Sequence, residues 1–172
     1  GFQVDAASTM LVDNFSISYT ESAVEKVETD IVINGDFQAG NSNSGSNGWQ
    51  TQTSSTMSLS VISEDGNDSN KVLQTTATSG GAQANFYFGT AGVLEIGKTY
   101  TVSFDIKRTS GSGGLTLYTV NVIDGWKNHG WENVTSNWQT ITYELTPAMN
   151  DAWGQVGFQV DEASTMLVDN FS

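Results

Sequence analysis

An all-β fold, an antiparallel β-sandwich or jelly roll, is what this sequence predicts, on three observations. Short segments alternate apolar and polar residues with a period of two, turn signals recur roughly every eight to twelve residues, and no apolar stripe of helical spacing runs to a useful length. A pleated strand sends successive side chains to opposite faces, so the period of two marks sheets with one buried face.

Taken in order, the chain opens with a duplicated stretch. Gly1–Ser16, GFQVDAASTMLVDNFS, recurs at Gly157–Ser172 as GFQVDEASTMLVDNFS, with Ala6 against Glu162 as the one difference. An offset of 156 residues is a domain length. Residues 1–20 therefore read as the tail of an upstream tandem repeat, residues 21–30 as an acidic linker, and residues 31–172 as one module. About 140 residues is the usual size of one domain with one core.

Within the module, Ile31–Phe37 is a short apolar run closed by the turn signal Asn34-Gly35, and Ala39–Gly48 is a long polar loop leading to Trp49. Met57–Ser63, the loop Glu64–Asn70 and Lys71–Ala77 make a strand, a turn and a strand. Ala82–Gly89 puts Ala84, Phe86 and Phe88 on one side and Gln83, Asn85 and Tyr87 on the other. Thr99–Arg108 points Tyr100, Val102, Phe104 and Ile106 inward. Arg108–Gly114 reads as a flexible hairpin connection, Leu115–Asp124 as a strand, and Gly125–Asn137 as a loop bearing Trp126 and Trp131. Trp138–Thr146 is a strand ended by Pro147, and GFQV with TMLVDNF completes the module.

Charge and composition exclude several function classes. The net charge is −13, from 19 acidic residues against 6 Lys and Arg, which repels nucleic acid, anionic membrane surfaces and polyanionic polysaccharides. A neutral glycan or a cation is not repelled. Apolar runs are too short to span a bilayer by a helix, and without cysteine neither disulfides nor thiolate chemistry is available. Catalytic constellations are poorly supplied: the single histidine, His129, falls in a loop with no nucleophile elbow nearby, and one His without Cys does not make a zinc site. No glycine motif of the phosphate-cradling kind stands between a strand and a helix. A module of this size is also small for glycoside hydrolysis by a carboxylate pair. The expectation is a protein that is not an enzyme.

INGDFQAG, the following Gly48-Trp49, GKTYTVSFDIK, NWQTITYELT and the terminal MLVDNFS occur in one order and spacing. Together they resemble the β-jelly-roll carbohydrate-binding modules of families 4, 9, 16 and 22, family 16 most. The likeness spans residues 31–172. It implies a non-catalytic module that binds polysaccharide, is appended to a secreted polysaccharide-degrading enzyme, often occurs in tandem, and holds a structural calcium near the joined termini. For that Ca2+ the resemblance implies position 38, Asp169 and a backbone oxygen near Lys71, with Asp36 as a further candidate. Where the family has GDFE this chain has Gln38, which removes one negative charge and should weaken calcium. Asp13 could serve in place of Asp169, being its counterpart in the first copy.

Sugars offer apolar CH faces ringed by hydroxyls, so a site needs exposed aromatic platforms beside amides. Trp49 and Trp153 are the expected stacking platforms, with Trp126 and Trp131 as a second pair. Gln83, Asn85, Tyr87 and Asn121 are the expected hydrogen-bonding partners of sugar hydroxyls. Trp138 is expected to pack in the core. A calcium-stabilised spacer or adhesin repeat without a sugar site is the alternative, favoured if Trp49 and Trp153 both prove buried. The duplicated segment leaves two arrangements open: the first copy takes or displaces the terminal strand of its own module, or it is exchanged with a neighbour in a strand-swapped homodimer.

Overall fold

The structure, a computed structural model, describes residues 31–32, 34–40, 48–51, 56–149 and 153–172. The duplicate at residues 1–20, the linker at 21–30 and the candidate ligand Asp13 lie outside the described residues, as does the proposed exchange of the first copy.

Among the described residues there are ten strands and no helix: β1 Gly48–Thr51, β2 Met57–Glu64, β3 Asn67–Ala77, β4 Gln83–Tyr87, β5 Tyr100–Gly111, β6 Gly114–Val120, β7 Trp126–Asn133, β8 Gln139–Leu145, β9 Gln155–Val160 and β10 Ser164–Asp169. They form two five-stranded antiparallel sheets, ordered β1-β4-β9-β6-β7 (sheet A) and β2-β3-β10-β5-β8 (sheet B). The sandwich expected from the alternation is what forms. No described helix is long and apolar enough to cross a membrane.

The second copy of the repeated segment supplies the middle strand of both sheets. Its GFQV lies in β9, between β4 and β6, and its STMLVD is β10, between β3 and β5. Asp161 joins the two crossings by accepting the Gly114 amide at 2.7 Å, and Glu162 accepts the Ser112 hydroxyl. Glu162 is the residue at which the two copies differ.

The core lies between the sheets and is aromatic. Trp49 is 1% exposed and meets Phe37, Phe86, Phe158 and Phe171, with the Phe171 ring edge-on at 4.8 Å. Phe171 also stacks on Phe104 of β5 at 5.2 Å. The chain end is held by two bonds between Ser172 and Ser103 and by Phe171 N donating to Gly35 O at 2.9 Å. Gly35 is required there, because a Cβ would come within 1.8 Å of Phe171 O.

Several expectations are corrected. Trp49 is no platform on the surface: it pairs with Phe86 across β1 and β4, so its side chain enters the face that Phe86 enters. The turn expected between Met57–Ser63 and Lys71–Ala77 is present and is narrower than Glu64–Asn70: it pivots on Asp65-Gly66, whose φ values of 49° and 75° suit a two-residue hairpin. Arg108–Gly114 is not a hairpin connection, since β5 and β6 belong to different sheets. Gly125–Asn137 holds the strand β7 and not only a loop. Trp138 is 37% exposed instead of packed in the core, because its indole N–H donates to Glu64 Oε1 at 2.7 Å outside sheet B.

Trp49→Ala should cost about 3–5 kcal/mol of stability in urea unfolding, as for other large buried aromatics. Trp49→Phe should cost much less, because Trp49 Nε1 has no hydrogen-bond partner among the described residues and its loss orphans nothing. A stable Trp49→Ala protein would contradict this packing.

Candidate functional site

The outer face of sheet A can be read as three rungs, since residues paired across adjacent strands project to the same side. One rung runs Gln83, Gln159, Thr116, Trp131. The next runs Gln50, Asn85, Gly157, Tyr118, Asn128. The third runs Gly48, Tyr87, Gln155, Val120, Trp126. Successive rungs stand about 7 Å apart, two residues along a strand. The face exists because Ala84, Phe86, Leu115, Leu117, Val156, Phe158 and Val160 take the inward positions, leaving the alternate residues outside.

The floor is polar and tightly packed. Gln83, Asn85, Gln155 and Thr116 are buried, as is Tyr118. Asn85 Nδ2 donates to Gln155 Oε1 at 3.1 Å, while Asn85 Oδ1 has no partner among the described residues. Gly157 gives that oxygen its space, for a Cβ there would lie 2.6 Å from it. Burial raises the Tyr118 phenol above its ordinary pKa, against a hydrogen bond with Gln83, so Tyr118 stays neutral at physiological pH. Its ring meets Trp126 edge-on at 6.4 Å.

The rim is aromatic. Trp126 is 72% exposed and Trp131 48%. Five residues apart on a regular strand they would face opposite ways. The register of β7 against β6 shifts between Thr116 and Tyr118, with His129 and Gly130 in the gap, and both indoles reach one face. Gly130 has φ +112°, which side chains rarely adopt. His129 is half-buried, not a free loop imidazole; its Nε2 is 2.8 Å from Thr119 Oγ1, and burial first, then Lys127, lowers its pKa and favours the neutral ring.

Of the sequence-derived candidates, Gln83, Asn85, Tyr87, Trp126 and Trp131 come together on this face. Trp49 lies in the core. Trp153 is 65% exposed and precedes β9, where Gly154 O accepts Phe88 N at the end of β4. Asn121 begins the β6–β7 turn, its N–H bonded to Gly125 O at 2.7 Å. The test set for the spacer alternative thus divides, one tryptophan buried and one exposed. Gln155, Gln159, Thr116 and Tyr118 were missed, although the alternation in QVGFQV and LTLY marks them.

On the outside of sheet B, Glu64, Asp105, Trp138, Gln139, Thr140 and Asp169 line a cleft of about 290 Å³. Glu64 is its hub, accepting Lys107 Nζ at 2.8 Å, Trp138 Nε1 and Asn70 Nδ2, while Lys107 Nζ lies 4.8 Å from the centre of the Trp138 ring. The Lys107 hydrogen bond leads the causes that hold the Glu64 carboxyl below its ordinary value. Asp169 moves the other way, raised by burial and by Asp105, Asp36 and Glu64 nearby.

The positions implied for calcium do not present a cation site as arranged. Gln38 Nε2 donates to Asp36 O at 2.9 Å and to Lys71 O at 3.0 Å, so a donor occupies the approach to two of the oxygens a metal would need. Among the described residues no group of three or more His, Cys, Asp or Glu converges on a metal position.

An all-β sandwich with an amide floor and a tryptophan rim on one sheet is the class that this fold and face define. Residues 29–165 match the family model CBM_4_9, carbohydrate binding domain, and the chain belongs to that family. No curated protein matches. Among solved structures, the CBM22-1 xylan-binding domain of Paenibacillus barcinonensis Xyn10C aligns at 17% identity over 79% of this chain and 88% of that one, with a TM-score of 0.62. A structure described as "CBM4 structure and function" aligns at 25% identity over 82% and 97%, TM-score 0.60. The CBM22-1-GH10 modules of the Clostridium thermocellum xylanase Xyn10B, complexed with xylohexaose, align at 15% identity over 77% and 27%, TM-score 0.59. Membership is in the group that the sequence motifs indicated.

Glu64→Gln should lower stability at neutral pH, and the deficit should vanish in acid. A carboxyl whose folded pKa is depressed adds stability that is present above its ordinary value of 4.5 and lost as pH falls through the folded value. Denaturation followed by tryptophan fluorescence from pH 3 to pH 7 checks this; an equal deficit across that range would contradict it.

Proposed function

We propose that the outer face of sheet A binds a neutral polysaccharide without catalysing a reaction on it. The observation that carries this reading is the absence of charge on the three rungs. In a chain with 19 acidic residues, every side chain of those rungs is an amide, hydroxyl, aromatic or aliphatic group, or is missing at glycine. Amides and hydroxyls match sugar hydroxyls in both donor and acceptor roles, and indoles match their CH faces. Trp126 and Trp131 are the platforms, Gln83, Tyr87, Gln155 and Gln159 the hydrogen-bonding floor, and Trp153 an extension toward the start of β9. Family membership, the xylan named for one structural neighbour and the xylohexaose bound in another support a polysaccharide ligand, with xylan first among β-glucan, mannan and agar types. Secretion, tandem arrangement and the targeting of an attached polysaccharide-degrading enzyme belong to the same proposal and rest on the resemblance.

Affinity electrophoresis in gels containing xylan, β-glucan, mannan or agar tests it. At least one should retard the protein, and Trp126→Ala or Trp131→Ala should weaken binding about tenfold, roughly 1.4 kcal/mol, without changing stability. Retardation by none would count against the reading.

Gly130→Val is expected to weaken binding without touching the sugar. Nothing lies within 4 Å of a Cβ at that position, so its effect must come through the φ of +112° and the bulge that turns Trp131 to the face. Unchanged affinity in a folded Gly130→Val protein would show that the bulge does not set the platform.

A further inference from the structure

The place that the resemblance assigns to a calcium ion is filled by a side-chain amide, and we propose that Gln38 takes the metal's role, clasping the segment before β1 to β3 without calcium. Calcium would need oxygen lone pairs from every ligand. Here Asp36 O and Lys71 O both accept from Gln38 Nε2, at 2.9 and 3.0 Å. The amide cannot be turned over without loss. Lys71 N donates to Gln38 Oε1 at 3.3 Å, so nitrogen faces the two carbonyls and oxygen faces the one N–H.

One further contact opposes a cation. Lys71 Nζ lies 3.3 Å from Gln38 O, which places a positive charge beside the clasp. One Asp36 carboxylate oxygen accepts the Gln38 N–H at 3.2 Å, which fixes the Asp36–Gln38 turn. A metal entering between the carbonyls would have to evict the amide nitrogen and bind next to an ammonium group. The carboxylates of Asp36, Asp169, Asp105 and Glu64 act in the opposite sense.

The clasp matters because of what it holds. Phe37, between Asp36 and Gln38, is 1% exposed and packs on Trp49. Anchoring its neighbours to Lys71 on β3 seats that ring in the core, as a bound metal would.

Thermal unfolding of the whole chain, stripped of metal, with either excess EDTA or millimolar calcium tests the proposal independently of sugar binding. The wild-type midpoint should agree in the two conditions to within about 1 °C. Gln38→Ala should melt lower in both. Gln38→Glu should melt lower in EDTA and recover by about 5 °C or more in calcium, since it restores the missing charge and removes the competing donor. A wild-type midpoint that rises by several degrees with calcium would overturn the proposal. So would a Gln38→Ala protein as stable as the wild type, or a Gln38→Glu protein indifferent to calcium.

Discussion

The contact between Trp49 and Phe171 is the constraint on which the rest of this module depends. Trp49 comes from β1, one edge strand of sheet A, and Phe171 follows β10, the middle strand of sheet B, so their edge-on packing joins the two sheets through the aromatic core. Phe171 stands next to the final residue, and Ser172 is bonded to Ser103 of β5. Since residues 157–172 supply most of β9 as well as β10, neither sheet has its middle strand until this one segment docks. That topology is dominated by contacts distant in sequence, the kind whose loop-closure entropy slows folding. It also gives meaning to the repeat: residues 1–16 carry the pattern of the most central segment of the fold, apart from Ala6, which cannot make the hydroxyl bond that Glu162 accepts from Ser112.

The same core organises the face opposite to it. Each inward Phe, Leu or Val on β4, β6 and β9 forces its neighbours outward, and apart from glycine those neighbours are Gln, Asn, Thr and Tyr. Such residues are costly to bury unless they bond one another, which the Asn85–Gln155 pair and the Tyr118–Gln83 contact accomplish. A floor locked in this way is ordered before any ligand arrives, which lowers the entropy cost of recognition. β7 does the complementary work at the edge, where a bulge with an open glycine corrects an odd spacing and sets two indoles on one side.

What could be read from the sequence follows from this division. Strands with a buried and a solvent-facing side, such as Gln83–Tyr87 and Tyr100–Ile106, announce themselves by alternation. β7 does not, because an edge strand with little buried surface and a bulge at His129-Gly130 has no period to detect. Trp49 was misplaced because its polar surroundings on the preceding side say nothing about which way a strand's first residues face; the Phe86 pairing decides that, and pairing is not a local property. Trp138 was misplaced for the opposite reason. It resembles a core tryptophan at a strand start, yet Glu64 and Lys107, distant in sequence, hold it on the surface. The turn within Glu64–Asn70 is legible from its Asp, Asn and Gly residues; that Asp65-Gly66 alone makes it, with both strands continuing around the pair, is set by the pairing of β2 with β3.

Charge is distributed between the two sheets in a way that bears on ligand choice. Glu64, Asp105 and Asp169 gather outside sheet B, where burial first and then the neighbouring carboxylates raise Asp169. The rungs of sheet A carry none. A carboxylate on the floor would have to shed its hydration when a glycan settled over it, and a neutral sugar returns no ionic contact for that loss. Amides shed less and regain hydrogen bonds of equal kind. Keeping acids off the rungs therefore leaves a face suited to uncharged polymers, while the net charge still repels polyanions at a distance.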